Sequence, residues 1–247
     1  MNPSRRPLAL LIVSLFSCGF ALAAEPVKAA APTTVDAAAT AAVLKASGLT
    51  TAQLLSGAKT GLGAMLDLAT TELAKPGAVQ VATPPSMAKL VSAAQKLNQT
   101  GALDTFKASL TAAATSVMPQ TTAVLKQSLA GIAVDDAMAL TSGAPDSATR
   151  LLRKASEPAL RTKVMPLVAQ AIAANGTAAK AKDLAAKAGP MAAMLGVPSA
   201  ADLEGYVYSQ LLDTSFGYLA KGEAAVRANP AQLKDATAAK VFALGKK

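Results

Sequence analysis

Ser86-x-x-Lys89 has the spacing of the serine nucleophile and lysine of β-lactamases and penicillin-binding proteins, and Lys59-Thr60-Gly61 matches their second element. Those enzymes carry Lys-Thr-Gly after the serine, on a strand, with a Ser-Asp-Asn between them. Here it precedes the serine, sits within a helical pattern, and no Ser-Asp-Asn exists. Ser86 therefore reads as a helix N-cap. Asp135-Asp136 has the residue types of a paired-carboxylate acid/base site. Neighbouring helical positions do not face each other, and acids suit a helix start, so this pair reads as one. Asp213 is the carboxylate of most interest. It lies beside an apolar stripe that includes Phe216, and Tyr206 or Tyr208 could complete a polar group with it. Burial would give Asp213 a need for a cation, with Arg150 or Arg153 as partner in a structural pair.

Arg150, Arg153 and Lys154 share one helical face and, with Arg161 and Lys163, form a local basic concentration that suits an anionic surface such as lipid headgroups. The competing reading is a solvated face in which Glu157 is interspersed. Glu223 and Arg227 form an i,i+4 pair, worth a few tenths of a kcal/mol on a helix surface. The candidate ligand- or partner-binding set is thus Arg150, Arg153, Lys154, Asp213, Tyr206 and Phe216.

Composition narrows the chemistry further. The 247 residues hold no histidine, no tryptophan and one cysteine, with 24 Lys+Arg against 15 Asp+Glu for a net charge of +9. The cysteine, Cys18, falls in a leader. Arg5 and Arg6 form a basic n-region, Leu8–Phe20 an apolar run too short to span a bilayer, and Ala21-Leu22-Ala23 a small-x-small cleavage site. Cleavage after Ala23 implies export to the periplasm and a mature chain with no transmembrane helix. Leu15-Phe16-Ser17-Cys18 also resembles a lipobox, so an outer-membrane lipoprotein acylated at Cys18 is the alternative. Without histidine or mature cysteine, the N and S ligands of zinc, copper, haem and iron–sulfur sites are missing, and no EF-hand loop is present. No metal or other cofactor is expected. Nucleic acid is a poor partner because the lysines are scattered and aromatics do not alternate with them.

The elements that must position these residues are helical. The division expected is a signal peptide over 1–23, a disordered Ala/Pro/Thr-rich linker over 24–35, and a single all-α domain of about eight to ten helices over 36–247. Asp36–Ser47 closes at Gly48. Thr50-x-x-Gln53 is a capping box opening a helix to about Lys75, stopped by Pro76-Gly77. Val79–Pro85 is extended, with room for a short β-bridge. Ser86 caps Met87–Asn98, and Gly101 separates it from Leu103–Val117. Pro119 fits the first turn of a separate helix over Gln120–Ala130. Val134–Leu140 is short and Ser142–Pro145 a turn. Asp146 or Ser147 caps the next helix, and Ser156 with Pro158 starts another running to Ala174. Thr177–Lys187 has one large apolar residue, Leu184, and reads as solvated or frayed. Ser199 or Asp202 opens the longest C-terminal helix, to about Arg227, and Asn229-Pro230 starts the last. Gly57-x-x-x-Gly61 marks a close helix contact inside the fold, since Lys59 and Lys75 deny that helix a membrane span.

The C-terminal string is specific. Asp202-Leu203-Glu204-Gly205-Tyr206-Val207, Leu212-Asp213-x-x-Phe216, Glu223-x-x-x-Arg227-x-Asn229-Pro230 and Lys240-Val241-Phe242 resemble the signature of domain-of-unknown-function family 4197, exported helical proteins of bacteria. Ala133-Val134-Asp135-Asp136-Ala137, Ser147-Ala148-Thr149-Arg150-x-x-Arg153 and Met165-Pro166-Leu167-Val168 fit in order. The resemblance runs roughly from Leu54 to Phe242. The chain departs from it at Thr111–Thr115, where relatives carry Asn-Arg-Ala-Ala-Glu, and at Leu151-Leu152, where they carry Tyr-Phe. The resemblance implies the fold and export but no activity. Three functions remain: a non-enzymatic binder of an apolar or anionic envelope ligand or partner, an oligomeric assembly protein of the envelope, and a hydrolase using carboxylates.

Overall fold

The computed structural model describes residues 37–140, 145–190 and 196–244. The leader, the linker and Ser142–Ala144 lie outside the described residues. Ten α-helices and no strand are found among those described. They are α1 Ala37–Ser47, α2 Thr51–Leu73, α3 Ala88–Lys96, α4 Thr100–Ser128, α5 Val134–Ala139, α6 Ser147–Lys163, α7 Met165–Ala174, α8 Thr177–Lys187, α9 Ala200–Ala228 and α10 Ala236–Leu244. None is long and apolar enough to cross a membrane.

Two helices open on capping boxes, the one expected at Thr50–Gln53 and a second at Ser199, which is the N-cap of the two residues offered for α9. The Thr50 N–H donates to Gln53 Oε1 at 2.9 Å while the Gln53 N–H donates to Thr50 Oγ1 at 3.2 Å. Ser199 and Asp202 repeat the exchange at 3.0 and 3.2 Å at the start of α9. Each satisfies two of the backbone donors that a helix N-terminus leaves open. The Pro76-Gly77 stop is also as expected. Ala78 N–H closes a turn onto Lys75 O at 3.1 Å, with Pro76 second and Gly77 third at φ +77°. A proline followed by a positive-φ glycine is the type II pattern, which releases the chain from α2.

α2 packs against α9 and α10, α4 against α6, α7 and α8, and α9 touches both groups. The seam between α2 and α10 depends on the two glycines. A Cβ at Gly57 would come within 2.9 Å of Val241 Cγ2, and one at Gly61 would overlap the fully buried ring of Phe242. Helix axes meet this closely only where side chains are absent, and the space goes to an aromatic ring.

Five helix boundaries differ from expectation; Gly101, expected to separate two helices, lies in the first turn of α4, and at Pro119 and Pro158 packing outweighs a local signal. α4 runs unbroken through Pro119, with Val117, Met118, Thr121 and Thr122 buried on either side. An interior proline costs about 3 kcal/mol, and the burial of this stretch of α4 offsets it. α6 likewise passes through Ser156 and Pro158, so the break before α7 falls at Val164 and not at Ser156. Ser86 caps nothing. Pro85–Met87 is a 3₁₀ turn, and the N-cap position of α3 is Met87. Pro230–Gln232 is a 3₁₀ turn too, and α10 begins only at Ala236, where Asp235 Oδ1 accepts from the Ala238 N–H at 2.7 Å. α8 is neither solvated nor frayed: Thr177, Ala181, Leu184 and Ala185 are buried against α4, α3 and α7. Alanine lets α8 approach closely, so one leucine suffices.

Candidate functional site

The segment 79–84 is extended without any strand partner and is held by side chains. Val79 and Val81 are buried, the Val81 N–H donates to Thr111 Oγ1 of α4 at 3.2 Å, and Tyr206 of α9 donates its hydroxyl to Thr83 O at 3.4 Å. This segment, the end of α2 and the middle of α4 border a half-open cleft of about 560 Å³. One wall is the end of α2, with Thr70, Leu73 and Ala74, continuing into Pro76 and Val79. The other is the middle of α4, with Thr111, Thr115, Met118, Pro119 and Thr122. Lys75 stands at the mouth, its ammonium on both Glu72 oxygens at 2.6 and 2.7 Å. The volume lies within the range of small-molecule sites, and the lining is mostly apolar with a few polar groups.

The cleft's polar groups are largely committed. Thr70 and Thr122 donate their hydroxyl protons to the carbonyls of Leu66 and Met118, at 2.7 and 3.1 Å. A smaller cavity of about 400 Å³ lies across α2, beneath residues 232–235, with the half-exposed Leu68 in its wall and Asp67, Lys234 and Asp235 around it. Asp67 is paired with Lys126 at 2.6 Å.

The residues singled out by sequence lie elsewhere, and the structure brings only some of them together. Arg153 reaches from α6 to Asp213 on α9 at 3.1 Å, and its guanidinium lies over the Phe216 ring, 5.2 Å from the centroid. The Asp213 partner is therefore the expected Arg153, but burial is not the cause: both side chains are about half exposed. Phe216 is the buried floor beneath them. Arg150 is tied to Asp146 at 2.6 Å, and Lys154 is exposed. Two of the three cations on this face thus have carboxylate partners, which weakens it as an anion-binding surface. Tyr206 turns to Thr83 and does not complete a group with Asp213. Burial raises the Tyr206 phenol above its usual range. It raises Tyr208 as well, with Glu157 adding and Arg161 opposing, and the Tyr208 hydroxyl is buried without a hydrogen-bond partner. Asp202 is lowered, first by the Ser199 hydroxyl and then by the Ser199 N–H.

The charged cluster that sequence reasoning undervalued is Glu223 with Arg227. Glu223 is fully buried and accepts four hydrogen bonds: from the N–H groups of Ala148 and Thr149 at 2.9 and 2.8 Å, Thr149 Oγ1 at 2.8 Å, and Arg227 Nε at 2.9 Å. Arg227 in turn donates to Ser147 Oγ at 2.6 Å and Leu140 O at 3.4 Å, and lies over the Phe242 ring. The cap of α6 is therefore a carboxylate from α9. Asp146 occupies the N-cap position without a capping hydrogen bond from its side chain. A carboxylate there also opposes the positive end of the helix dipole. The two residues of an apparent surface pair are a buried joint between α9, α6 and the end of α5.

This joint and the α2–α10 seam account structurally for Glu223, Arg227, Val241 and Phe242 of the C-terminal string. Residues 48–243 match the model of a family described as "Protein of unknown function (DUF4197)". The chain belongs to the DUF4197 family. No curated protein and no solved structure matches it. In this DUF4197 protein Glu223, Arg227, Val241 and Phe242 serve packing and capping, and the cleft between α2 and α4 is a concave, mostly apolar feature of a size to hold a small molecule.

Proposed function

We propose that this DUF4197 protein is an exported, non-enzymatic binding protein that holds an apolar ligand in the cleft between α2 and α4. The cleft carries the reading: about 560 Å³ of half-open space bounded by Leu73, Val79, Met118 and Pro119. The Thr70, Thr111 and Thr122 hydroxyls already bond to backbone groups, which suits holding a ligand rather than converting it. The paired state of Arg150 and Arg153 favours an apolar ligand over an anionic surface. Export is part of the proposal and rests on the basic, apolar and small-x-small pattern of residues 1–23.

The test is native mass spectrometry of protein purified from the envelope of its own host. The expected result is an adduct that leaves on denaturation, identified as a lipid or other apolar molecule. A bare chain mass from a membrane-rich extract would contradict the proposal. The same spectrum reads the N-terminus, which the proposal places at Ala24 or at an acylated Cys18.

A further inference from the structure

Among the described residues two large apolar side chains are exposed, Leu68 at 49% and Leu97 at 53%. A single exposed leucine is ordinary on a protein surface. Leu68 differs from Leu97 because it forms part of the wall of the cavity of about 400 Å³ beside residues 232–235. That cavity shares no residue with the ligand cleft. Thr60, Ala64, Leu68 and Thr71 border it at helical spacing along one face of α2. Leu233 and Ala238, both buried, line its other side. Thr60 and Ala64 are small, so a neighbouring helix can approach this stretch of α2 closely. The lining carries both signs of charge, Asp67 and Asp235 against Lys234. Asp67 holds Lys126 at 2.6 Å and Asp235 caps α10, whereas Lys234 has no carboxylate partner among the described residues.

We infer that this patch docks a second copy of the chain about a two-fold axis, with Leu68 of each copy seated in the cavity of the other. A two-fold contact uses the same surface twice, so that surface must hold a projection, the hollow that receives it and charges of both signs. Leu68, the cavity and the mixed rim supply these side by side. The charges decide between occupants. Lys234 finds the carboxylate it lacks in Asp67 or Asp235 of the second copy, whereas an anionic membrane or a nucleic acid meets the same two carboxylates as repulsion.

The experiment is sedimentation velocity of the purified protein over a range of loading concentrations, with Leu68→Glu, Lys234→Glu and Leu97→Glu beside the wild type. The wild type rises from one chain to two and stops there, because a two-fold contact closes. Leu68→Glu puts a charge into the apolar cavity at both ends of the contact and raises the dissociation constant by at least about 100-fold. Lys234→Glu makes the lining charges all acidic and weakens the dimer by about tenfold, a difference that salt narrows. Leu97→Glu leaves the dimer as it is. All three side chains are exposed, so thermal melts of the variants match the wild type and any loss of dimer is read on folded protein. A wild type that stays a single chain at every concentration refutes the dimer. A dimer that survives Leu68→Glu, or is lost equally in Leu97→Glu, refutes the patch, and growth beyond two chains refutes the two-fold arrangement.

Discussion

Replacing Glu223 with alanine strips four donors of their acceptor at once. The Ala148 and Thr149 N–H groups at the start of α6, the Thr149 hydroxyl and the Arg227 guanidinium are all left facing a dry interior. Removing one member of a buried ion pair typically costs about 3–5 kcal/mol because the other charge is stranded. Each unsatisfied buried donor adds about 1–3 kcal/mol where water cannot reach it. These costs overlap, since relaxation that admits water serves all of the orphans together. A total of about 4 kcal/mol is expected, which lowers the melting temperature of a chain this size by about 10 °C. Glu223→Gln keeps the shape but turns an amide N–H₂ toward one of these donors, so it recovers only part of the loss. The decisive comparison is Glu223→Leu with Arg227→Met: the double variant removes both charges and should be more stable than Glu223→Leu alone by about 2 kcal/mol. Urea unfolding followed by far-ultraviolet circular dichroism gives all four values. A Glu223→Ala variant within about 1 kcal/mol of the wild type would refute the joint, because only an exposed pair is worth so little.

Other consequences follow from the same geometry. Gly61→Ala places a methyl group into the Phe242 ring and should destabilise by about 1–3 kcal/mol, whereas Gly63→Ala meets nothing nearer than Leu129 Cδ1 at 3.8 Å and should stabilise by about 0.5–1 kcal/mol; thermal melts distinguish the signs. Asp213→Asn breaks a half-exposed pair and should change stability by less than about 1 kcal/mol, with the effect shrinking further in salt. The capping carboxylate Asp202 is held below its usual range, so its contribution to α9 is complete above the ordinary aspartate pKa and is lost as pH falls through its lowered folded value. Asp202→Asn should therefore flatten the acid limb of the stability curve. Tyr206 and Tyr208 are raised, so their phenolates should form at higher pH than free tyrosine, as followed by ultraviolet titration, and stability should fall as pH rises through those folded values.

Local chemistry was readable wherever a few neighbouring residues decide the outcome. The Thr50–Gln53 capping box, the Pro76-Gly77 turn and the Gly57/Gly61 contact each follow from spacing alone, and the start of α9 was legible to within Ser199 or Asp202. What was not readable depends on partners far apart in the chain. Pro119 and Pro158 look like helix starts because a proline is easiest to accommodate there; buried neighbours on both sides make them interior. Thr177–Lys187 looks solvated because small side chains carry little hydrophobic signal, although they pack closely against α4. The cap of α6 comes from Glu223, 75 residues away from Ala148, and no local pattern near Ser147 could announce it. The cleft has the same origin. Leu73, Val79 and Met118 become one surface only when the extended segment is pinned to α4 through Thr111. The basic face of α6 was legible as a charge cluster, but its neutralisation by Asp146 and Asp213 was only half visible, because Asp213 belongs to another helix.

Thr115→Trp gives the most direct test of the cleft as the binding site. Thr115 is an exposed residue on α4 whose side chain borders the cleft, so an indole there fills the space without entering the core. Native mass spectra of the wild type and this variant, both purified from the host envelope, should show the apolar adduct on the wild type and its loss from the variant, with melting temperatures that agree closely. An adduct that persists on Thr115→Trp, or one absent from both proteins, would contradict the account.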